Sequence, residues 1–322
     1  MGRHSGKVSG FLFLSVALFF SGFRASAQES KSAPPTAKIS PQQAITLAEH
    51  GHCRETISVL KHAMVAEVPA ETRKQAGVAG VRCSLAVDDR PGTLDFIRLL
   101  NRQFGHDPDV LFVIIHAYSD LSTRAAQDLA RFAPQSIAAH KLNAEALEEQ
   151  GRWQPAELEY EEIIKKDPNA RGIHFLLGRL LLSRPDAGPD AKERARQEFL
   201  KELQIDPGNA DAQYILGELA RQDENWDEAV TRFSQAAKLN PDFAEAYLGW
   251  GVSLLGDKKY EEAVPPLRIA ERLTPGNPDT HNALGTALAR TGHKEEAEKE
   301  FAIHRSLSSA DHPGASAGDQ PE

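Results

Sequence analysis

Four side chains near position 50 are of types that can hold a metal. His50, His52 and Cys53 fall within "HGHC", and His62 follows. Imidazole nitrogens and a thiolate are donors that zinc takes, but a closed zinc site uses four ligands, and no second cluster at ligand spacing follows. These histidines therefore read as turn residues, and no metal ligand set is assigned. Metal or enzymatic chemistry around His50, His52 and Cys53 remains an alternative function. Cys53 and Cys83 are the two cysteines of the chain. Cys53 begins one helical segment and Cys83 lies on the next. With a turn near Pro69 they stand about equally far from that turn and can lie side by side. In an oxidising compartment such a pair forms a disulfide; the other reading is two buried thiols. The sequence leaves both open, because it does not give the Cα separation. There is no Gly-rich phosphate loop, no GxSxG and no HExxH. Glu-rich stretches such as "EALEEQ" and "EYEEII" read as solvated helix faces. No catalytic residue and no cofactor is assigned.

The elements that carry these residues begin after an export signal. Arg3 and Lys7 precede an apolar run from Phe11 to Phe20, and Ala25-Ser26-Ala27 forms a small-x-small site before Gln28. This is the pattern of a secretory signal peptide over 1–27. The uncharged run from Val8 to Phe23 is shorter than the roughly 20 apolar residues that span a bilayer comfortably. The chain is therefore expected to be exported, periplasmic or extracellular, without stable membrane insertion after cleavage. The formal net charge is −9, and the chain is more acidic still once Arg3, Lys7 and Arg24 are set aside. An acidic chain does not suit nucleic-acid binding, which needs a basic face, or docking on anionic lipid. Hydrophobic content of 41% supports a packed core.

The remainder has a period. Pro168, Pro207, Pro241 and Pro275 each follow a helical segment, and the last two intervals are 34 residues. The first interval is longer because of a loop, "SRPDAGPD". The first helix of each unit carries Ala144, Gly178, Gly217, Gly251 or Gly285. The second carries Ala156, Ala195, Ala229, Ala263 or Ala297, and four residues later Tyr160, Phe199, Phe233, Leu267 or Phe301. Small residues let two helices of a hairpin approach, and the large side chain one turn on fills the gap. Proline ends the second helix, since it lacks an N–H and disfavours helix in the residue before it. A fixed period near 34 signals stacked helix hairpins.

With this spacing of small residue, Ala, aromatic and Pro, the chain resembles the tetratricopeptide repeat family, as in "GRWQPAELEYEEIIKKDPNA". The resemblance covers five units over 137–309. Two departures stand out: Glu202 replaces a small or apolar residue, and the fifth unit ends without proline or an evident capping helix. Residues 41–136 read as degenerate helical repeats. Within them 76–87 and 93–104 form one hairpin, and "VLFVIIHAY" with "TRAAQDLARFAP" a shorter one. Segments 28–40 and 310–322 are expected to be a flexible linker and a disordered tail. The resemblance implies an all-α, right-handed superhelical solenoid of stacked antiparallel hairpins.

It also implies a concave groove lined by the first helices. One row of that groove is Lys141, Phe175, Tyr214, Leu248 and Asn282. The next turn gives Glu145, Arg179, Glu218, Val252 and Thr286, and Arg221 and Leu255 lie one turn further. An apolar centre beside Arg179 and Arg221 suits a peptide segment with apolar anchors and some acidic character; the other reading is that these rings pack within the solenoid. The carboxylate clamp for chaperone C-termini is not matched, since Glu145 follows Lys141 where Asn is required. The expected function is a non-catalytic scaffold or adaptor of the cell envelope, with a protein partner. Self-association into a homo-oligomer is an alternative, since a bare terminal repeat exposes apolar surface.

Overall fold

The structure, a computed structural model, describes residues 39–185 and 188–310. The expected signal peptide, residues 28–38 of the linker and residues 311–322 of the tail lie outside the described residues. Among the described residues there are 15 helices and no strand. None of these helices is long and apolar enough to cross a membrane. The chain divides into two compact units, Met1–Tyr118 and Ser119–Glu322.

In the first unit, α1 (Pro41–Glu49) opens on a capping box. The Ser40 hydroxyl accepts from the Gln43 N–H, and the Gln43 side chain returns to the Ser40 N–H. α2 (Cys53–Ala63), α3 (Ala70–Ala86) and α4 (Arg90–Phe104) pack in succession. The packed face of α3 is built of small residues, among them Ala76, Gly77 and Gly80, all buried. The Phe96 ring of α4 is fully buried against Gly80, which has no side chain to hold it off. A disulfide joins Cys53 of α2 to Cys83 of α3, with Cα atoms 4.8 Å apart.

The hairpin expected over 110–134 does not form. Its two segments are one helix, α5 (Pro108–Phe132, 25 residues). The residues between them, Ser119 to Ser122, include neither Pro nor Gly, so nothing stops propagation. Arg124 instead pairs with Asp120 one turn back along the helix.

The second unit stacks five hairpins: α6 (Ile137–Glu149) with α7 (Trp153–Lys166), α8 (Ile173–Ser183) with α9 (Ala191–Ile205), and α10 (Ala210–Gln222) with α11 (Trp226–Leu239). They are followed by α12 (Ala244–Gly256) with α13 (Tyr260–Leu273), and α14 (Pro278–Arg290) with α15 (Lys294–Ala310). The turns of the first, third, fourth and fifth hairpins pass through a left-handed residue: Gly151 (φ 68°), Glu224 (φ 54°), Lys258 (φ 62°) and Gly292 (φ 87°). At each, the next N–H bonds back to the carbonyl near the helix end. Arg152 reaches Leu147 at 2.8 Å, and Asn225, Lys259 and His293 reach Ala220, Leu254 and Leu288 at 2.9 Å. The fold tolerates Glu224 and Lys258 there because these paired bonds outweigh an L-residue's penalty in that region. Pro168, Pro207, Pro241 and Pro275 are exposed just beyond the C-caps of α7, α9, α11 and α13.

Inside each hairpin the small residue faces the large one. A Cβ added to Gly178 would stand 2.9 Å from Phe199, and one added to Gly217 would stand 2.9 Å from Phe233. At Gly285 it would stand 2.8 Å from Phe301, and Gly251 faces Leu267 in the same way. Tyr160, Phe199, Phe233 and Leu267 are fully buried, as are Ala144, Ala156, Ala195, Ala229 and Ala263, while Ala297 retains 2%. Burying a side chain the size of Phe contributes about 1.5–3 kcal/mol, so these positions carry much of each hairpin.

Glu202 has a specific task. α8 begins at Gly172, which has no side chain to cap the helix. The buried Glu202 carboxylate of α9 accepts from the N–H groups of Gly172 (2.8 Å) and Phe175 (3.3 Å). It thereby caps α8 from across the hairpin. Glu157 of α7 takes Arg184 at 2.6 Å and also pairs with Arg194 of α9, one residue on each side of Asp186 and Ala187.

Candidate partner-binding face

The first helices of the second unit carry the candidate groove residues. α12 packs directly on α10 and on α14, so these three first helices line one face. Lys141 of α6 and Asn282 of α14 are exposed at the ends of the row. Between them Phe175, Tyr214 and Leu248 are half-buried. The Phe175 ring meets Phe199 edge-on at 5.6 Å; Tyr214 meets Phe233 edge-on at 5.5 Å and Phe243 at 5.0 Å. Leu248, Val252 and Leu255 pack beside the buried cluster of Leu254, Leu267 and Leu284. The apolar centre is thus narrower than the sequence implies, because each ring reaches an aromatic neighbour across the helix–helix gap. The remaining surface of these rings is bordered by charge.

Arg179 lies 3.3 Å from Glu148, and the same carboxylate accepts the Tyr160 hydroxyl at 2.5 Å. Burial, with the Glu148 acceptor, pushes the Tyr160 phenol far above its usual range, so it stays a donor. Arg221 pairs with Glu218 at 2.7 Å. Glu145 is exposed, and Thr286 bonds back to the Asn282 carbonyl at 2.9 Å. About half of the Arg179 side chain (51%) and over a third of Arg221 (37%) remain in solvent, free to meet an acidic group.

A second concavity lies between the C-terminal half of α5 and α6. It is a cleft of about 730 Å³ with Ala126, Leu129, Ala130, Leu142 and Ala146 in its walls. One wall is the C-terminal half of α5, the long helix that stands where a hairpin was expected.

Reading the sequence also missed a recurring pair. His140, His174 and His281 start the first helices, and each ring Nδ1 meets a glutamate of the second helix: Glu159 at 2.6 Å, Glu198 at 2.6 Å and Glu300 at 2.7 Å. The pairs are separated by 19, 24 and 19 residues, the longer one spanning the loop insertion. The signal was present in the register: each histidine immediately precedes a groove position.

Among the described residues, no group of three metal-type side chains converges around His50. Cys53 is tied up in the disulfide, so its sulfur is not a thiolate. The His50 ring bonds the Thr46 carbonyl at 2.7 Å, and the His52 side chain is half-exposed. The metal alternative at His50, His52 and Cys53 is therefore set aside. Among the described residues the metal-type side chains that do converge are Glu271, His281 and Glu300.

The repeated hairpin, its left-handed turn and the small-against-aromatic contact can now be compared with known proteins. Residues 141–210 and 214–278 match the tetratricopeptide repeat. The α14–α15 hairpin lies beyond those matches but keeps the same Gly285–Phe301 contact. Among solved structures, the chain is similar to YrrB, a tetratricopeptide repeat protein with an unusual peptide-binding site. Identity is 20%, the TM-score is 0.50, and the likeness covers 59% of this chain and 94% of that one. The crystal structure of MamA protein is 20% identical over 58% of this chain and 100% of its own, with TM-score 0.49. MamA from Desulfovibrio magneticus RS-1 is 20% identical over 55% and 97%, with TM-score 0.48. The likeness to YrrB concerns the fold. No curated protein matches the sequence.

Proposed function

We propose that this tetratricopeptide repeat protein is a non-catalytic scaffold that binds a polypeptide segment along the first-helix face of α6–α14. The carrying observation is the row Lys141, Phe175, Tyr214, Leu248 and Asn282, with its part-exposed apolar centre beside Arg179 and Arg221. The face is preformed, because its rings are already packed, so binding costs little ordering on the scaffold side. Apolar anchors with acidic neighbours fit it best. The peptide-binding site of YrrB, a protein of the same fold, supports the reading.

Export belongs to the same proposal. It rests on the basic start, the apolar run and Ala25-Ser26-Ala27, and the Cys53–Cys83 disulfide suits an oxidising compartment. Protein recovered from the envelope or medium should begin at Gln28 by N-terminal sequencing. Recovery of the uncut chain in the cytoplasm refutes this part.

The binding proposal is tested by affinity capture with the immobilised native chain beside an Arg179→Glu/Arg221→Glu/Leu248→Ala variant of equal helicity. A defined set of proteins held by the native form and lost by the variant supports the face. Capture of the same set by both refutes it. Self-association has its own observation: Phe112, Ile115 and Tyr118 of α5 are 61%, 63% and 49% exposed at helical spacing. A strict monomer in light scattering removes that reading.

A further inference from the structure

The last two hairpins place three ligand-type side chains from three helices at one point. Glu271 of α13, His281 of α14 and Glu300 of α15 have ligand atoms that all lie within 4.8 Å of one another. His281 is 3% exposed and Glu300 7%. The ring orientation is already set: Nε2–H donates to the Pro275 carbonyl at 2.9 Å, which turns Nδ1 towards Glu300 Oε2 at 2.7 Å. A metal-bound histidine is usually held in this way, with its distal N–H given to a backbone carbonyl so that the other nitrogen faces the ion.

Charge points the same way. With the ring protonated, two carboxylates face one imidazolium, leaving one negative charge over. A divalent ion in place of the Nδ1 proton makes the cluster neutral. Arg268 pairs with Glu271 at 3.9 Å and more closely with Glu296, so its one positive charge is shared between two carboxylates. The chain contains its own comparison. His174 has the same frame, with Nδ1 on Glu198 at 2.6 Å and Nε2 on the Pro168 carbonyl at 3.3 Å. There Lys201 also neutralises Glu198 at 2.7 Å, and Ile164 stands at the position that matches Glu271. That pair therefore lacks a third ligand and an uncompensated negative charge.

We propose that Glu271, His281 and Glu300 form a site for a divalent transition ion, with Zn²⁺ the best fit to one imidazole and two carboxylates, and water as the fourth ligand. The ion ties α13, α14 and α15 together and so fastens the terminal hairpin to its neighbour. This role is independent of the partner-binding face.

The test is calorimetric titration of the chelator-stripped full chain with Zn²⁺, beside thermal unfolding with and without the ion. Native chain takes one equivalent and melts higher with Zn²⁺. Glu271→Gln, a change at a partly buried side chain that keeps the His281–Glu300 pair, weakens binding by about tenfold or more and loses the thermal shift. Glu198→Gln, in the other pair, leaves both unchanged. Absence of saturable binding to the native chain overturns the proposal, leaving a structural ion pair. So does equal binding by Glu271→Gln, which would put the ion elsewhere.

Discussion

Phe233 sits in a slot between two glycines, and this gives a sign-reversing prediction. A Cβ added to Gly217 of α10 would stand 2.9 Å from the ring; one added to Gly249 of α12 would stand 2.6 Å from it. The ring is fully buried and meets Tyr214 edge-on at 5.5 Å, so it has no room to move aside. Gly249→Ala gains about 1 kcal/mol in helix propensity but overpacks the slot, at about 1–3 kcal/mol. The net is a loss of about 1 kcal/mol. Phe233→Ala empties the slot and costs about 3–5 kcal/mol. In that background the Gly249→Ala methyl has space, so the same substitution should stabilise by about 1 kcal/mol. The coupling between the two sites is then about 2 kcal/mol. Urea unfolding followed by circular dichroism, compared at equal m-values, reads all four corners of the cycle. If Gly249→Ala is neutral in the native background, or still destabilising without Phe233, the slot argument is wrong.

Reduction of Cys53–Cys83, which are 30 residues apart, should lower stability by about 3.5 kcal/mol by freeing that loop in the unfolded chain. An unchanged melting temperature in reductant would contradict this. Glu202→Ala should cost about 2 kcal/mol by leaving the Gly172 and Phe175 N–H groups without an acceptor. Ala236 occupies the matching position of the next hairpin, where α10 is capped by its own Asn209 instead. A neutral result would mean that water caps α8 equally well. Burial alone would raise the Glu198 carboxyl, but His174 and Lys201 hold it below its usual range. A depressed carboxylate contributes stability above its ordinary value and loses it as pH falls through the folded value. The urea midpoint should therefore drop between about pH 5 and about pH 3, and less so in Glu198→Gln; parallel curves would refute the role.

Much of the architecture was legible from period alone. A 34-residue interval between prolines, with small and large residues at fixed offsets, leaves stacked helix hairpins as the arrangement that buries every large side chain against a small one. The all-α class follows from that spacing, because helical periodicity is a local property. The α5 region departs from the period. Repeat logic expected a hairpin there, yet the local sequence has no breaker, and the chain stays helical through it. Gly249 escaped notice because its partner, Phe233, belongs to the preceding hairpin, a contact made by stacking.

The same division holds for the chemistry. Residue types near position 50 left metal chemistry as an alternative and the cysteine pairing open, and the packing of α2 on α3 joins Cys53 to Cys83. The three histidines that pair with glutamates were visible only as isolated letters 19 or 24 residues from their partners. Glu271 belongs to a different hairpin from His281 and Glu300, so no spacing rule within one repeat could join them. Periodicity specifies which helices pair, because each hairpin is encoded within one repeat. Which side chains meet between repeats depends on how the hairpins stack, and that is a property of the folded chain.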